Sequence, residues 1–170
     1  MDYNLRTARP GDEEALSLVG AASFLEAFAG MLQGPDILAH CRKQHAVEKY
    51  RAWLTSANSA ACIAEVKQAP VGYAVVCPPD LPVPLTERDI ELKRIYVFHR
   101  FQGMGIGKAL IEWSFDEARK RGFSRVLLGV NEGNTDAIAF YMRCGFVNAG
   151  HRSFQVGDQI CQDEVLARVL

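Results

Sequence analysis

The sequence lacks the features that place a protein in a membrane or in an oxidising compartment. No apolar run approaches the ~18–20 residues needed to span a bilayer. Residues 1–6 lack the charged-then-apolar order of a signal peptide. The five cysteines are scattered and contain no Cys-x-x-Cys pair, which argues against a disulfide framework and against a zinc site. We therefore expect a cytoplasmic protein that has no membrane partner and no metal.

The sequence also lacks an excess of positive or negative charge. The formal net charge is −1 over 170 residues, which provides no long-range attraction for nucleic acid or for an anionic membrane. We expect no nucleic-acid partner, and any polyanion must be held by local groups. Hydrophobic residues make up 49% of the chain, so one domain covering 1–170 can build its core without metals or disulfides.

Hydrophobic periodicity predicts the order strand, helices, three strands, helix, strand, helix and two strands, which is a mixed α/β domain. The predicted strands cover 3–8, 61–66, 71–76, 90–98, 126–130, 146–154 and 160–169. The predicted helices cover 13–28, 36–54, 106–121 and 135–144, with Ala46 as an alternative start of a separate helix. Segment 77–84 holds four of the seven prolines and is predicted to be a stiff, exposed loop.

A glycine-rich loop stands between the predicted strand 90–98 and the helix that follows it. It reads Gln-Gly-Met-Gly-Ile-Gly-Lys over residues 102–108. Glycines let the backbone approach a ligand closely, and a helix N-terminus offers unpaired N–H groups and a partial positive charge. The loop therefore predicts a phosphate site. Ala109 replaces the hydroxyl residue of a nucleotide P-loop, and the dinucleotide spacing Gly-x-Gly-x-x-Gly is absent. A glycine-rich helix start without a ligand is the alternative.

Two motifs together resemble one enzyme family. Gln102-x-x-Gly105-x-Gly107 resembles the coenzyme A loop of the GCN5-related N-acetyltransferase (GNAT) superfamily. Segment 134–146, Asn-x-x-Ala-x-x-Phe-Tyr-x-x-x-Gly-Phe, is similar to the family's later motif, and the two stand in the family's order. The resemblance implies a GNAT fold, a mixed central sheet of about seven strands flanked by about four helices, with acetyl-coenzyme A as co-substrate.

The resemblance also implies where the cofactor binds. The strand before the loop and its parallel neighbour splay in this family, and the cofactor fills the gap. The implied contacts to pantetheine come from the backbone of Ile95, Tyr96 and Val97, with Asn134 facing the pantetheine or thioester region. The implied pyrophosphate contacts come from the backbone of Gln102, Gly103, Met104, Gly105, Ile106, Gly107 and Lys108.

Two residues are candidates for proton transfer. Tyr141 occupies the position of the family's general acid, where a phenol with a pKa near ~10 would protonate the departing thiolate. Its alternative role is core packing beside Phe140. Glu91 is the candidate base, directly or through water, and its alternative role is an ion pair with Lys93. Gly129 stands where similar ribosomal-protein N-terminal acetyltransferases often carry a glutamate, which counts against that substrate class.

The function expected from these residues is transfer of an acetyl group from acetyl-coenzyme A to a primary amine of a small molecule, by direct attack in a ternary complex. The alternatives are a protein or peptide N-acetyltransferase and a non-catalytic sensor of acyl-coenzyme A. A polyamine is the first choice of acceptor, because the late segment 154–163 resembles bacterial spermidine and spermine acetyltransferases. Acids in the first helical region and after the proline-rich loop add to this choice, and their alternative role is that of surface residues. They are Glu13, Glu14, Glu26, Asp36, Asp80, Glu87 and Asp89. A second copy of the chain, in a homodimer, is the other candidate partner.

Overall fold

The computed structural model describes residues 2–170. They form one mixed sheet of seven strands and five α-helices. The strands are β1 (Asn4–Thr7), β2 (Ala60–Val66), β3 (Ala69–Cys77), β4 (Asp89–Val97), β5 (Arg125–Asn131), β6 (Val147–Val156) and β7 (Gln159–Val169). The helices are α1 (Glu13–Phe28), α2 (Gly34–Gln44), α3 (Val47–Thr55), α4 (Ile106–Lys120) and α5 (Thr135–Arg143), with a short 3-10 helix at His99–Phe101.

The strand order is β1-β2-β3-β4-β5-β7-β6, and β4–β5 is the parallel pair. Every other neighbouring pair in the sheet is antiparallel. A parallel connection needs a crossover of a dozen or more residues, and α4 supplies it. The glycine loop therefore lies at the carboxyl end of β4, where the crossover begins. The expected mixed sheet of seven strands is confirmed.

The sheet is covered on both faces. Helix α4 packs on one face through Ile111 and Phe115, which are fully buried against Ile90 and Val126. Helices α1 and α3 pack on the other face, where Leu16 and its neighbours form a second core with β2 and β3. Full burial of an aliphatic or aromatic side chain contributes about 1.5–3 kcal/mol, so these two layers hold the central strands rigid beneath the site.

The structure divides one predicted helix. The stretch 36–54 forms α2 and α3, because Ala46 adopts extended backbone angles (φ −59°, ψ 140°) and starts a new helix. The split gives five helices where about four were expected. The β2–β3 hairpin also turns more tightly than predicted, through Lys67 and Gln68, which both have positive φ. Among residues 2–170, no helix combines the length and apolar character needed to cross a membrane.

Candidate active site

The central feature of the site is a fork between the two parallel strands. The β4–β5 ladder consists of three residue pairs and ends at Glu91↔Leu127. Beyond that point β4 continues to Val97 and β5 continues to Asn131 without pairing to each other. The splay implied by the resemblance is therefore present. The edge of β4 at Ile95–Val97 faces a gap instead of a strand, so its peptide groups can bond to an inserted ligand.

The glycine loop lies at the open end of this fork. Gly103 (φ +74°) and Gly105 (φ +84°) both adopt left-handed backbone conformations, which side chains other than glycine adopt at a cost. Gly105 is the N-cap of α4 and provides no side-chain cap, and the first turn carries no acidic residue. Among residues 2–170, no protein group accepts a hydrogen bond from the backbone N–H groups of 103–108. These donors and the helix dipole form an anion cradle.

The other loop residues support the cradle. The Gln102 side chain donates to the Val97 carbonyl at 3.2 Å and so ties the loop to the end of β4. Ile106 is buried and anchors the helix start in the core. A Cβ on Gly107 would meet only the Phe140 ring, at 3.5 Å, which is ordinary contact. Phe140 therefore packs beside Gly107, whereas a Cβ on Gly103 would meet nothing within 4 Å, so the loop is open at Gly103.

A recess of about 420 Å³ lies between α4 and α5, next to this cradle. It is lined by Lys108, Glu112, Phe140, Arg143, Cys144 and Arg168. Three of these six side chains are cations, so the recess adds local positive charge in a protein of nearly zero net charge. Arg168 is held in place by stacking on Phe115, with its guanidinium carbon 4.2 Å from the ring centroid.

Tyr141 lies in the core side of α5, with 9% of its surface exposed. Its ring packs against Phe140 and Phe146, at centroid separations of 5.4 and 5.8 Å. Burial raises the pKa of the Tyr141 phenol above its ordinary value, and the nearby Tyr96 and Cys144 raise it further. The phenol therefore keeps its proton at working pH, as an acid must before the step, although a raised pKa also makes the proton harder to release. Both the packing role and the acid role fit this position.

Asn134 is the N-cap of α5, and its Oδ1 accepts the Ala137 N–H at 3.2 Å. The preceding turn leaves the end of β5, so Asn134 lies at the rim of the fork. Capping fixes the start of the helix that carries Tyr141. This structural function accounts for an asparagine here, since N-cap residues contribute about 0.5–2 kcal/mol to helix stability.

Glu91 lies at the closed end of the fork and is 2% exposed. One carboxylate oxygen accepts the Asp80 N–H at 2.8 Å, and the other is 3.1 Å from Lys93 Nζ. Both oxygens are thus engaged by the protein, and the ion pair with Lys93 that the sequence offered as the alternative role is present. A base that exchanges protons with a substrate needs a free oxygen facing it.

A β-bulge at Lys93 changes which residues of β4 share a face. Val75 pairs with Arg94 and Val76 pairs with Leu92, so Lys93 is the extra residue. Ile95 and Val97 consequently join the α4 side of the sheet, while Glu91, Arg94 and Tyr96 share the opposite side. Lys93 still shares a side with Glu91, and sequence alternation alone gives the wrong face from residue 94 onwards. No local signal in 90–98 marks the bulge.

Sequence reasoning missed a buried polar network on that opposite side. Arg94 Nη1 is 2.7 Å from both His45 Nδ1 and the Tyr50 hydroxyl, and Tyr50 is 2.6 Å from the Tyr73 hydroxyl. Because arginine can only donate, His45 Nδ1 must accept, so the imidazole is neutral with its proton on Nε2. Burial and then Arg94 lower the pKa of His45 to about 3. Gly20 is required opposite this network, since a Cβ there would collide with its polar atoms.

A second missed group is an ion pair beside the fork. Arg152 on β6 donates to Asp163 on β7 at 2.5 Å, and Asp163 is 4% exposed. The Arg152 guanidinium lies over Gly129, whose Cβ would be 2.7 Å from Nη2. Burial raises the pKa of Asp163 despite the opposing effect of Arg152. The sequence holds both residues, but only the β6–β7 register brings them together. Among residues 2–170, no three His, Cys, Asp or Glu side chains are grouped closely enough to hold a metal ion.

Comparison with known proteins agrees with this geometry. Residues 25–146 match the family described as Acetyltransferase (GNAT) family. An uncharacterized N-acetyltransferase of Mycobacterium tuberculosis is 30% identical over 159 residues, covering 94% of this chain and 98% of the relative. Human N-acetyltransferase 8B is 30% identical over 106 residues, covering 62% of this chain and 46% of the relative.

Solved structures share the fold across the whole chain. The PaiA N-acetyltransferase of Thermoplasma acidophilum, in complex with coenzyme A, superposes with a TM-score of 0.79 at 18% identity and 100% coverage of both chains. The ribosomal-protein-S18-alanine N-acetyltransferase of Escherichia coli superposes with a TM-score of 0.68 at 19% identity, covering 99% of this chain and 94% of that one. The family match spans more than half of the chain and includes the fork, the glycine loop and α5. The chain therefore belongs to the GNAT family of acetyltransferases, and it is an acyltransferase.

Proposed function

We propose that this enzyme transfers the acetyl group of acetyl-coenzyme A to a primary amine of a small molecule, by direct attack of the amine. The observation that carries the proposal is the fork between β4 and β5 opening directly onto the anion cradle at 103–108. A long ligand with a phosphate at one end and a thioester at the other fits this combination. An acyl-coenzyme A is such a ligand.

The residues present suit that ligand. The backbone N–H groups of 103–108 supply donors for a pyrophosphate, and the space beside Gly103 is open, with no protein atom within 4 Å of an added Cβ. The unpaired edge of β4 at 95–97 supplies peptide groups for the amides of a pantetheine arm. The PaiA neighbour, which shares the fold, holds coenzyme A. When bound, acetyl-coenzyme A supplies the activated acetyl group.

In this proposal Tyr141 holds the proton that the thiolate receives. Its position on α5 and the effect of Tyr96, a residue of β4, on its pKa support this role. Glu91 has weaker support as the base. Both of its oxygens are engaged, by Lys93 and by the Asp80 N–H, and it lies where the ladder is still closed.

The shape of the site supports a small acceptor over a folded protein. The connection between α1 and α2 passes over the rim of the fork, with the Met31 methyl group 4.0 Å from the Cβ position of Gly133. A bridge between Ala29 and Leu32 holds this connection in a turn. A covered rim favours a compact amine. A peptide N-terminus is the second candidate, because an extended chain end can enter where a folded surface cannot.

The polyamine assignment remains a prediction, and the structure removes part of its basis. Two of the acids offered for a polycation are already paired: Glu13 with Arg51 at 3.2 Å and Asp89 with Arg125 at 2.5 Å. Glu26 accepts the His99 N–H at 3.2 Å. A polyamine would have to compete with the protein partners of these three acids. The resemblance of segment 154–163 and the other acids of the two segments are the arguments that remain for it.

The deciding experiment is an acceptor screen with acetyl-coenzyme A that follows thiol release. Spermidine, spermine, free amino acids, an aminoglycoside and short peptides would be compared at equal concentration. Thiol release with a small amine supports the proposal, and release with peptides alone would favour the peptide alternative. Cofactor binding without release for any amine would favour the sensor. No thermal shift at millimolar acetyl-coenzyme A would refute the proposal itself.

A further inference from the structure

Asp163 is a buried carboxylate with one oxygen unused by the protein. Arg152 directs both of its hydrogen bonds to Oδ2, from Nε at 3.2 Å and from Nη2 at 2.5 Å. Among residues 2–170, no group donates to Oδ1. Asp163 as a whole is 4% exposed, yet among residues 2–170 Ser23 Oγ is the one fully buried side-chain polar atom without a partner. Oδ1 therefore keeps accessible surface, through which a substrate group can donate a hydrogen bond to it.

The sheet register places this oxygen at the edge of the fork. Leu127 is the last residue of β5 that pairs with β4, and Gly129 is the next residue on the same face of β5. A Cβ on Gly129 would lie 3.3 Å from Asp163 Oδ2 and 2.7 Å from Arg152 Nη2. The missing side chain is therefore what lets the ion pair lie over β5, where the two strands begin to separate. A larger residue at 129 would displace it.

We propose that Asp163 is the general base for the acceptor amine, held in position by Arg152 and by the space at Gly129. This inference rests on the proposed acetyltransferase function. The acceptor ammonium donates a proton to Oδ1, and the amine nitrogen then forms the C–N bond to the acetyl carbon as the C–S bond breaks. The nitrogen loses its second proton, and the thiolate gains one. Asp163 passes its proton to solvent, so one proton is released per turnover.

The charges around Asp163 suit this function. Burial raises its pKa, Arg152 on β6 opposes the shift, and Glu132 after β5 adds to it. Cys161 lies on the same face of β7, and burial and then the Asp163 charge raise the pKa of its thiol. Burial raises the pKa of Tyr96 on β4, and the Asp163 charge across the fork adds to that rise. A carboxylate whose pKa moves up toward the working pH is a stronger base than an ordinary one. Glu91, in contrast, has no free oxygen.

The test compares two variants that each change an acid to its amide, Asp163→Asn and Glu164→Gln. Glu164 is the matched control, because it is the next residue of β7, faces the other side of the sheet and contacts Asn148. With the amine selected by the acceptor screen, Asp163→Asn is expected to lower kcat about 10²–10⁴-fold and to remove the acidic limb of the pH–rate profile. Its rate should recover as pH rises and the free amine accumulates. Glu164→Gln should keep both kcat and the profile.

A second variant protects the test against a folding defect in Asp163→Asn. Arg152→Gln removes the cation that favours the ionised carboxylate, so the acidic limb should move to higher pH. A limb that stays in place in Arg152→Gln, or an Asp163→Asn enzyme with wild-type kcat and profile, would overturn the inference. Acetyl-coenzyme A should stabilise all three variants against heat. A wild-type protein with neither that shift nor thiol release would instead refute the proposed function.

Discussion

The sharpest test of the cofactor site is the variant Gly105→Asp, which places a carboxylate at the start of α4. Its control is Gly122→Asp, which makes the same change at the other end of the helix. Both glycines have φ of +84°, and neither position has a neighbour closer than 3.8 Å to an added Cβ. The backbone strain of the substitution is therefore matched, at about 1 kcal/mol or somewhat more for a side chain in the left-handed region. What differs is the end of the helix dipole that the new charge meets.

The expected stabilities follow from that difference. At Gly105 the new carboxylate lies among the unpaired N–H groups of the cradle, and a negative charge at a helix N-terminus gains about 0.3–1 kcal/mol. At Gly122 the same charge meets the C-terminal end and loses a similar amount. Since 1 kcal/mol changes Tm by roughly 2–4 °C in a domain of this size, the unliganded Gly105→Asp protein should melt a few degrees above Gly122→Asp.

Cofactor binding should show the opposite order. At 100 times its Kd, acetyl-coenzyme A stabilises a native protein by ≈ 2.7 kcal/mol, or roughly 5–11 °C here. Differential scanning fluorimetry should find that shift in wild type and in Gly122→Asp. It should be absent in Gly105→Asp, because the new carboxylate occupies the donors and repels phosphate. A full cofactor shift in Gly105→Asp would mean that the phosphates bind somewhere other than 103–108.

The remaining predictions concern catalysis and stability. Tyr141→Phe should lower kcat about 10²–10⁴-fold in the thiol-release assay while leaving the acetyl-coenzyme A thermal shift unchanged. Glu91→Gln should lower Tm, because it removes a buried ion-pair partner, yet keep the shape of the pH–rate profile. Lys67→Asn combined with Gln68→Gly should raise Tm, since both residues have positive φ in the hairpin turn. The buried neutral His45 has a pKa of about 3 against an ordinary 6.5, so the unfolded chain binds more protons between those values. His45 should therefore contribute a fall in stability of about 1.4 kcal/mol per pH unit below pH 6.5, and urea titrations should show the total fall becoming less steep by that amount in His45→Asn.

The sequence was sufficient where the signal is local. The glycine loop, its helix and the α5 motif are contiguous patterns, and each was predicted within a residue or two of its position. The fork was also predicted, but only through the family resemblance, since nothing in β4 or β5 alone says that their ladder ends at Glu91. The division of 36–54 at Ala46 was left as an alternative, because a change of backbone angles at one residue leaves little trace in hydrophobic periodicity.

The sequence was insufficient where chemistry depends on strand register. Glu91 was a reasonable candidate base on a strand beside the site, yet its neighbours Asp80 and Lys93 engage both oxygens. The bulge at Lys93 then determines which later residues of β4 lie on the side of the sheet opposite α4. Register is a property of pairs of strands, so a single-strand pattern does not reveal which side chain is free and which is paired.

Gly129 shows how an absence in one strand becomes informative once the register is known. In the sequence, the glycine only indicated that β5 lacks a carboxylate at that position. In the sheet, the same glycine provides the volume that Arg152 and Asp163 fill, and the carboxylate arrives from β7 instead. The two observations are linked physically, because a side chain at 129 and the ion pair above it exclude each other.

A Gly129→Glu variant should therefore displace Arg152 from Asp163. If the new carboxylate then restores part of the activity lost in Asp163→Asn, the site requires a carboxylate at that point in space and not on a particular strand. If activity is not restored, a carboxylate that reaches this point from β5 does not replace the one that β7 supplies.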